Sequence, residues 1–261
     1  MARGGDVRFW GLDFPEPLPE REAEISAADL VATFSAGWTL GEVQSMLRSE
    51  GLLIPHGGLC LEHPASQWPV RAADLTLEQA IGFDFPHALG HLYGGWTDWV
   101  LGLTVEDANS PGSEVKLGSR VVKSVAGYDG QKLFCGALGA FGRIVSVTLR
   151  VYPLSVPLHA DLRGSGGPPS EDCVLHRVRP ADLAALEATV GEHALALDRL
   201  GAWAVYPLGQ KEDPPLRFAG DQLWRYGQVP ELNPAARRLL TQAKVQLDPN
   251  DQHQPALWRP A

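Results

Sequence analysis

The stretch "GYDGQKLFCGALGAFGRIVSVTLRVYP", residues 127–153, decides how this chain is read. Three evenly spaced glycines, Gly136, Gly139 and Gly142, stand just before a run of alternating apolar residues. The pattern predicts a short helical turn over residues 129–134, a glycine loop, and a buried strand over residues 144–151. A dinucleotide fingerprint has its glycines after a strand and at the opening of a helix. The order here is reversed, and no G-x-x-x-x-G-K-[S/T] run occurs, so neither a Rossmann site nor a P-loop is expected. Two readings stand side by side. The loop either gathers backbone N–H groups around an anion, or it turns a corner with glycines that supply positive φ.

Composition narrows the function classes. With 261 residues and 44% hydrophobic content, the chain can bury the core of one large domain or two modest ones. A formal charge of -9 and a pI near 5.3 argue against duplex nucleic acid or an anionic membrane surface as partner. Cys60, Cys135 and Cys173 are odd in number and form no C-x-x-C pair, which fits a reducing cytosol and neither a disulfide framework nor a zinc ribbon. The opening "MARGGDVRFWG" lacks the apolar centre of a signal peptide, and no run approaches the roughly 18 apolar residues of a membrane span. A cytoplasmic chain without direct membrane insertion is expected.

Working outward from the loop, "LVATFSA" (30–36) reads as a strand and "TLGEVQSMLRSEG" (39–51) as a helix. Thr39 and Glu42 form a capping-box pattern there, and Gly51 is the stop. Residues 52–94 are broken by Pro55, Pro64, Pro69 and Pro86, and no regular element is assigned to them. "DWVLGLTVED" (98–107) resumes a strand pattern, and residues 115–125 read as a short hairpin or irregular strand pair. "FPEPLPEREAE" (14–24) reads as an exposed connection and "LRGSGGPPSED" (162–172) as a linker. Beyond it come a helix marked by Leu183, Leu186 and Val190, a strand at "GAWAVYPL" (201–208), and a last helix from Asn233–Pro234 through Leu247.

Four stretches then carry a resemblance: "VVKSVAGYDGQKLFCGALGAFGRIVSVTLRVYP" (121–153), "AGWTLGEVQSMLRSEGLLIP" (36–55), "YGGWTDWVLGLTV" (93–105) and, less closely, "LDPNDQHQP" (247–255). Through them, residues 3–154 resemble the FAD-binding domain of the vanillyl-alcohol-oxidase, or PCMH-type, flavoprotein family. Within that family they look most like the FAD-binding subunits of bacterial glycolate oxidases. The resemblance implies an α+β fold, a mixed sheet with flanking helices, followed by a reduced α+β covering domain. It implies a division into residues 1–154 (the FAD-binding domain, its first strand-helix unit missing), a linker over 155–172, and a reduced cap over 173–261.

The same resemblance implies FAD as cofactor. Gly136, Gly139 and Gly142 would form one wall of the pyrophosphate site, Ile144 would lie against the cofactor, and Arg3, Gly4 and Gly5 would be what remains of a first pyrophosphate loop. Tyr93 and Gly94 match the family's tyrosine and glycine. The implied activity passes electrons from a small 2-hydroxy acid through flavin to a partner. Expected partners are a larger flavoprotein catalytic subunit and an iron–sulfur subunit, with any membrane association made through them. One departure points elsewhere. The family's second glycine loop falls on Thr76, Leu77, Glu78, Gln79, then Gly82, Phe83 and Asp84. A carboxylate about 4 Å from a phosphate charge costs about 4 kcal/mol at an effective dielectric near 20, close to three decades of affinity. Glu78 and Gln79 therefore favour the alternative, a flavin-free interaction subunit that docks a catalytic flavoprotein.

Other residue types each have a plain reading beside the functional one. Lys123 and Tyr128 are the catalytic candidates, against a solvated lysine and a packed aromatic. Asp129 caps a turn or acts as a base, Cys135 is redox-active or simply buried, and Arg143 meets an adenosine phosphate or solvent. His87 and His91 have metal-ligand spacing for a helix, but Pro86 and Gly90 break one, and no metal is expected. Trp96, Trp99, Trp203, Trp224 and Trp258 are either core or a partner interface.

Overall fold

The computed structural model describes residues 8–9, 12–13, 16–63, 71–107, 110, 112–120, 129–167, 169–209, 214–228 and 234–251. The chain opens with two short paired strands, Arg8–Phe9 (β1) and Leu12–Asp13 (β2). Ala23–Ser26 (β3) and Val31–Ser35 (β4) then lead into the helix Leu40–Ser49 (α1), whose capping box between Thr39 and Glu42 is formed as the sequence predicts. Leu52–Leu53 (β5) and four short helices follow: Gly57–Cys60 (α2), Leu77–Phe83 (α3), Gly90–Tyr93 (α4) and Trp96–Trp99 (α5). Val100–Glu106 (β6), Glu114–Gly118 (β7), Ile144–Arg150 (β8) and Tyr152–Pro153 (β9) complete this half.

The first five-stranded sheet runs β3-β4-β8-β6-β7, antiparallel throughout. The strand that follows the glycine loop is its centre. Val147 of β8 pairs with Phe34 on one side and Leu103 on the other, and all three are buried. The expected turn before the loop is present as a 3-10 helix over Gly130–Phe134. Of the strand pair expected over 115–125, β7 forms against β6, Ser119 and Arg120 follow it outside any strand, and residues 121–125 lie outside the described residues.

A second antiparallel sheet is ordered β10-β12-β13-β11-β14, from Leu162–Arg163 (β10), Cys173–Arg177 (β11), Ala196–Asp198 (β12), Trp203–Pro207 (β13) and Gln222–Arg225 (β14). Its side chains alternate in the way a two-sided buried sheet demands. Cys173, Leu175, Trp203 and Val205 face the core shared with the first sheet, while Val174, Ala204 and Tyr206 face Leu186 and Val190 of the helix Leu183–Val190 (α6). The stretch read as a linker over 162–172 thus begins with a strand, because Leu162 and Arg163 pair with Asp198 and Leu197. The helix Pro234–Leu247 (α7) lays Leu240, Ala243 and Leu247 on the shared core; its expected cap, Asn233, lies outside the described residues.

The class is α+β. Several elements were not legible, α3 the most buried among them. α3 occupies part of the proline-broken region to which no regular structure was assigned, and every residue from Leu77 to Phe83 is buried. A helix of seven residues is too short to show a periodic stripe, and its capping box, Thr76 with Gln79, is the only local signal it has. Burial does the rest, since each fully enclosed Leu, Ile or Phe contributes about 1.5–3 kcal/mol. The tryptophan question resolves toward core for Trp96, Trp99 and Trp203, which are 1%, 0% and 3% exposed.

Candidate functional site

Two helix N-termini meet beside the glycine loop. Thr39 and Thr76, the N-caps of α1 and α3, form an isolated antiparallel bridge. Leu40 N–H donates to the Leu75 carbonyl at 2.7 Å, and Leu77 N–H donates to Trp38 at 2.9 Å. Glu78 N–H reaches the Ala36 carbonyl at 3.1 Å, while the cap hydroxyls accept from Glu42 N–H at 3.3 Å and Gln79 N–H at 3.2 Å. A helix N-terminus holds an anion through donors that have no protein partner. Here Leu40, Glu42, Leu77, Glu78 and Gln79 N–H are engaged within the protein.

The loop itself behaves the same way. Gly136, Gly139 and Gly142 take φ of +74°, +78° and +134°, a region that side-chain-bearing residues avoid, so the glycines are needed for the path of the chain. Several N–H groups of the loop are bonded within the protein. Gly136 N–H donates to Ile81 at 2.9 Å and Leu138 N–H to Gly82 at 3.0 Å, satisfying carbonyls at the C-terminal end of α3. Ala140 and Gly142 N–H turn back onto Ala137 and Gly139. From the other side, the buried Lys244 of α7 donates to the Ala140 carbonyl at 2.9 Å and pairs with Asp248 at 2.8 Å and Asp251 at 3.2 Å.

Glu78 closes the wall at its end. Its carboxylate accepts from Arg143 Nε at 2.8 Å, Arg143 Nη2 at 3.0 Å and the Ile144 N–H at 3.0 Å, with side chains only 9% and 21% exposed. The Arg143 guanidinium is held protonated above its ordinary range, chiefly by hydrogen bonding to Glu78. The Arg143 fork is therefore taken by a carboxylate of its own chain, with part of the side chain still in solvent. Ile144, expected against a cofactor, is buried with its N–H bound to Glu78.

These residues do not fit a flavin diphosphate. A phosphate placed at this wall would have to displace a forked ion pair and the loop's own hydrogen bonds.

Of the remaining expected site residues, Tyr93 and Gly94 are described and have structural partners. Tyr93 donates its hydroxyl to the Pro157 carbonyl and packs edge-on to Tyr152 at 5.4 Å. Gly94, φ +76°, lies where a Cβ would come 2.1 Å from Asp98 Oδ2, and its carbonyl meets His87 Nε2 at 3.1 Å. Asp84 connects this corner to the loop: its Oδ1 lies 3.3 Å from a Cβ built on Gly95, and its Cβ 3.6 Å from one built on Gly136. Burial raises the Asp84 carboxyl above the usual carboxylate range, against the lowering effect of the Trp96 N–H. Burial also pushes the Cys135 thiol far above its ordinary value, with Asp84 and Asp98 adding to the shift, so it makes a poor thiolate.

Asp129 provides no side-chain cap and pairs with Lys132 at 2.9 Å. Arg3, Gly4, Gly5, Lys123, Tyr128 and Trp258 lie outside the described residues. His87 is no metal ligand: Nδ1 accepts from Gly57 and Leu89 N–H at 3.2 and 3.3 Å, which leaves Nε2 to donate to Gly94. Among the described residues no group of three His, Cys, Asp or Glu side chains is placed to hold a metal, and no helix is long and apolar enough to cross a membrane.

No protein-family model matches the chain. It is 28% identical over 130 residues to the glycolate oxidase subunit GlcD of Bacillus subtilis (strain 168), covering 50% of this chain and 25% of that protein. The chain thus matches about a quarter of the length of this curated relative. Two crystal forms of alkyldihydroxyacetonephosphate synthase match 67% of the chain at 13% and 12% identity, covering 27% and 28% of those chains with TM-scores of 0.41 and 0.40. Over about half of its length, the chain is thus similar to a glycolate oxidase subunit, and the motifs at residues 36–55, 93–105 and 121–153 are those that resemble the PCMH-type FAD-binding family.

Proposed function

We propose that the chain is a subunit of a flavin-dependent 2-hydroxy-acid oxidase complex, of which glycolate is the expected substrate, and that it works there by assembly while a larger partner subunit carries the flavin. The oxidoreductase kind rests on the likeness to GlcD. The division of labour rests on one observation, the Glu78 carboxylate seated on Arg143 and the Ile144 N–H at the end of a loop in which Gly136, Ala137, Leu138, Ala140 and Gly142 N–H donate to carbonyls of the chain.

A second reading keeps the flavin on this chain. It is favoured by the three spaced, left-handed glycines of the loop, for which a scaffold has little need and which let a ligand approach the backbone closely. In this reading FAD would bind across the loop and electrons would pass to the larger flavoprotein and an iron–sulfur subunit. The two separate in one experiment: visible absorption of the purified chain after FAD addition and desalting, alone and co-expressed with a glycolate-oxidase-type flavoprotein. We expect no retained flavin on the chain alone and a stable complex whose flavin stays with the partner. Flavin bands that survive desalting on the isolated chain would overturn the assembly role and establish the second reading.

A further inference from the structure

We infer that Glu78 is a resident anion: Arg143 and the Ile144 N–H form a seat for a carboxylate or phosphate group, and the chain fills that seat with its own side chain. The inference rests on the proposed flavin-free reading and adds the residue that enforces it.

The donors have the geometry used for anions. Arg143 presents Nε and Nη2 to the two carboxylate oxygens at 2.8 and 3.0 Å, a planar fork suited to carboxylates and phosphates, and a backbone N–H adds a third contact at 3.0 Å. The guanidinium is aimed independently of its occupant, because Nη2 also donates to the Glu16 carbonyl at 2.8 Å. Glu78 is not required for its own helix. The α3 cap is made by Thr76 and Gln79, and Glu78 N–H is bound to Ala36, so the carboxylate is free to serve as a ligand of the loop. An ordinary surface ion pair would be solvated, whereas Glu78 is 8% exposed and reaches a main-chain donor as well as its cation.

Truncating Glu78 would then leave a seat that small anions can enter. The test is thermal unfolding of the full chain as wild type, Glu78→Ala and Glu78→Gln, in sodium formate or inorganic pyrophosphate, against sodium chloride at matched ionic strength. Removing one member of a buried pair should lower the Glu78→Ala midpoint by about 6–20 °C. Formate or pyrophosphate should restore about 3–6 °C at about ten times its dissociation constant, and leave the wild type unmoved. Glu78→Gln keeps the shape and the contact to Ile144, so it tests the seat should the alanine variant not fold; a smaller anion response is expected from it. A folded variant no more sensitive to these anions than the wild type overturns the inference. That outcome with a flavin-free wild type removes the seat alone, whereas a wild type that retains FAD removes both the seat and the assembly role.

Discussion

α1 and α3 begin with nearly the same four residues, T-L-G-E at Thr39 and T-L-E-Q at Thr76, and both form capping boxes. Their caps bridge to each other, so the two helix starts form a matched pair within one local design. The third residue of each separates them. In α1 it is Gly41, where a Cβ would come 3.0 Å from the Ala73 carbonyl. In α3 it is Glu78, whose side chain crosses to Arg143 and Ile144. α1 keeps a solvated face, including Glu42 and Arg48, whereas α3 is enclosed along its whole length. Equal capping chemistry thus yields an ordinary surface helix in one place and the closing piece of a would-be anion wall in the other. The deciding factor is what packs over the first turn.

Three perturbations would break or sharpen this contrast. The largest effect is expected from Lys244→Met, which releases the glycine loop from the side opposite α3 and leaves the Asp248 carboxylate buried without its ammonium. A loss of about 3–5 kcal/mol in urea unfolding is expected, and a change below about 1 kcal/mol would show that the loop is held by α3 alone. Next, Thr76→Ala removes a cap that is 3% exposed and should cost about 2 kcal/mol, the upper end of the capping range, while Thr39→Ala at the more exposed start of α1 should cost about 0.5–1 kcal/mol. Equal costs would mean that burial does not distinguish the two helices.

The smallest effect, a change in pH dependence, concerns the floor beneath α4 and α5. His56 and His87 stack at 4.5 Å; burial lowers His56 to about 4 and His87 well below its ordinary value. Both are neutral when folded, and the unfolded chain binds the extra protons first. Their contribution is therefore fully present above about pH 6.5 and is lost as pH falls toward about 4. His87→Gln should flatten the pH dependence of the melting temperature in that window, on top of a pH-independent loss from the hydrogen bonds to Gly57, Leu89 and Gly94. An unchanged acid limb would place its cause elsewhere.

Much of the scaffold is written locally. The Thr39 capping box, the alternation at residues 144–151, the turn before the loop, and the glycines themselves are short-range signals, and each is found where it was expected. The glycine loop was also legible as a loop requiring left-handed backbone. Its partners were not, because an N–H group carries no sequence label for the carbonyl it will meet. Ile81 and Gly82 supply those carbonyls from more than fifty residues upstream. α3 escaped the reading because its stability comes from enclosure rather than periodicity.

What the sequence by itself determined is the α+β class, the order of β4, α1, β6, β8, α6, β13 and α7, the likeness to a flavin-binding wall, and the presence of Glu78 where that likeness expects glycine. The tertiary structure alone decided how that carboxylate is used. Sequence could price Glu78 only as a repulsive charge beside a phosphate, since pairing depends on which cation the fold delivers. Folding brings Arg143 across 65 positions and, with the Ile144 N–H, converts a repulsion into an occupied site. Hydrogen bonds and ion pairs act over a few ångströms, and long-range packing sets distances on that scale.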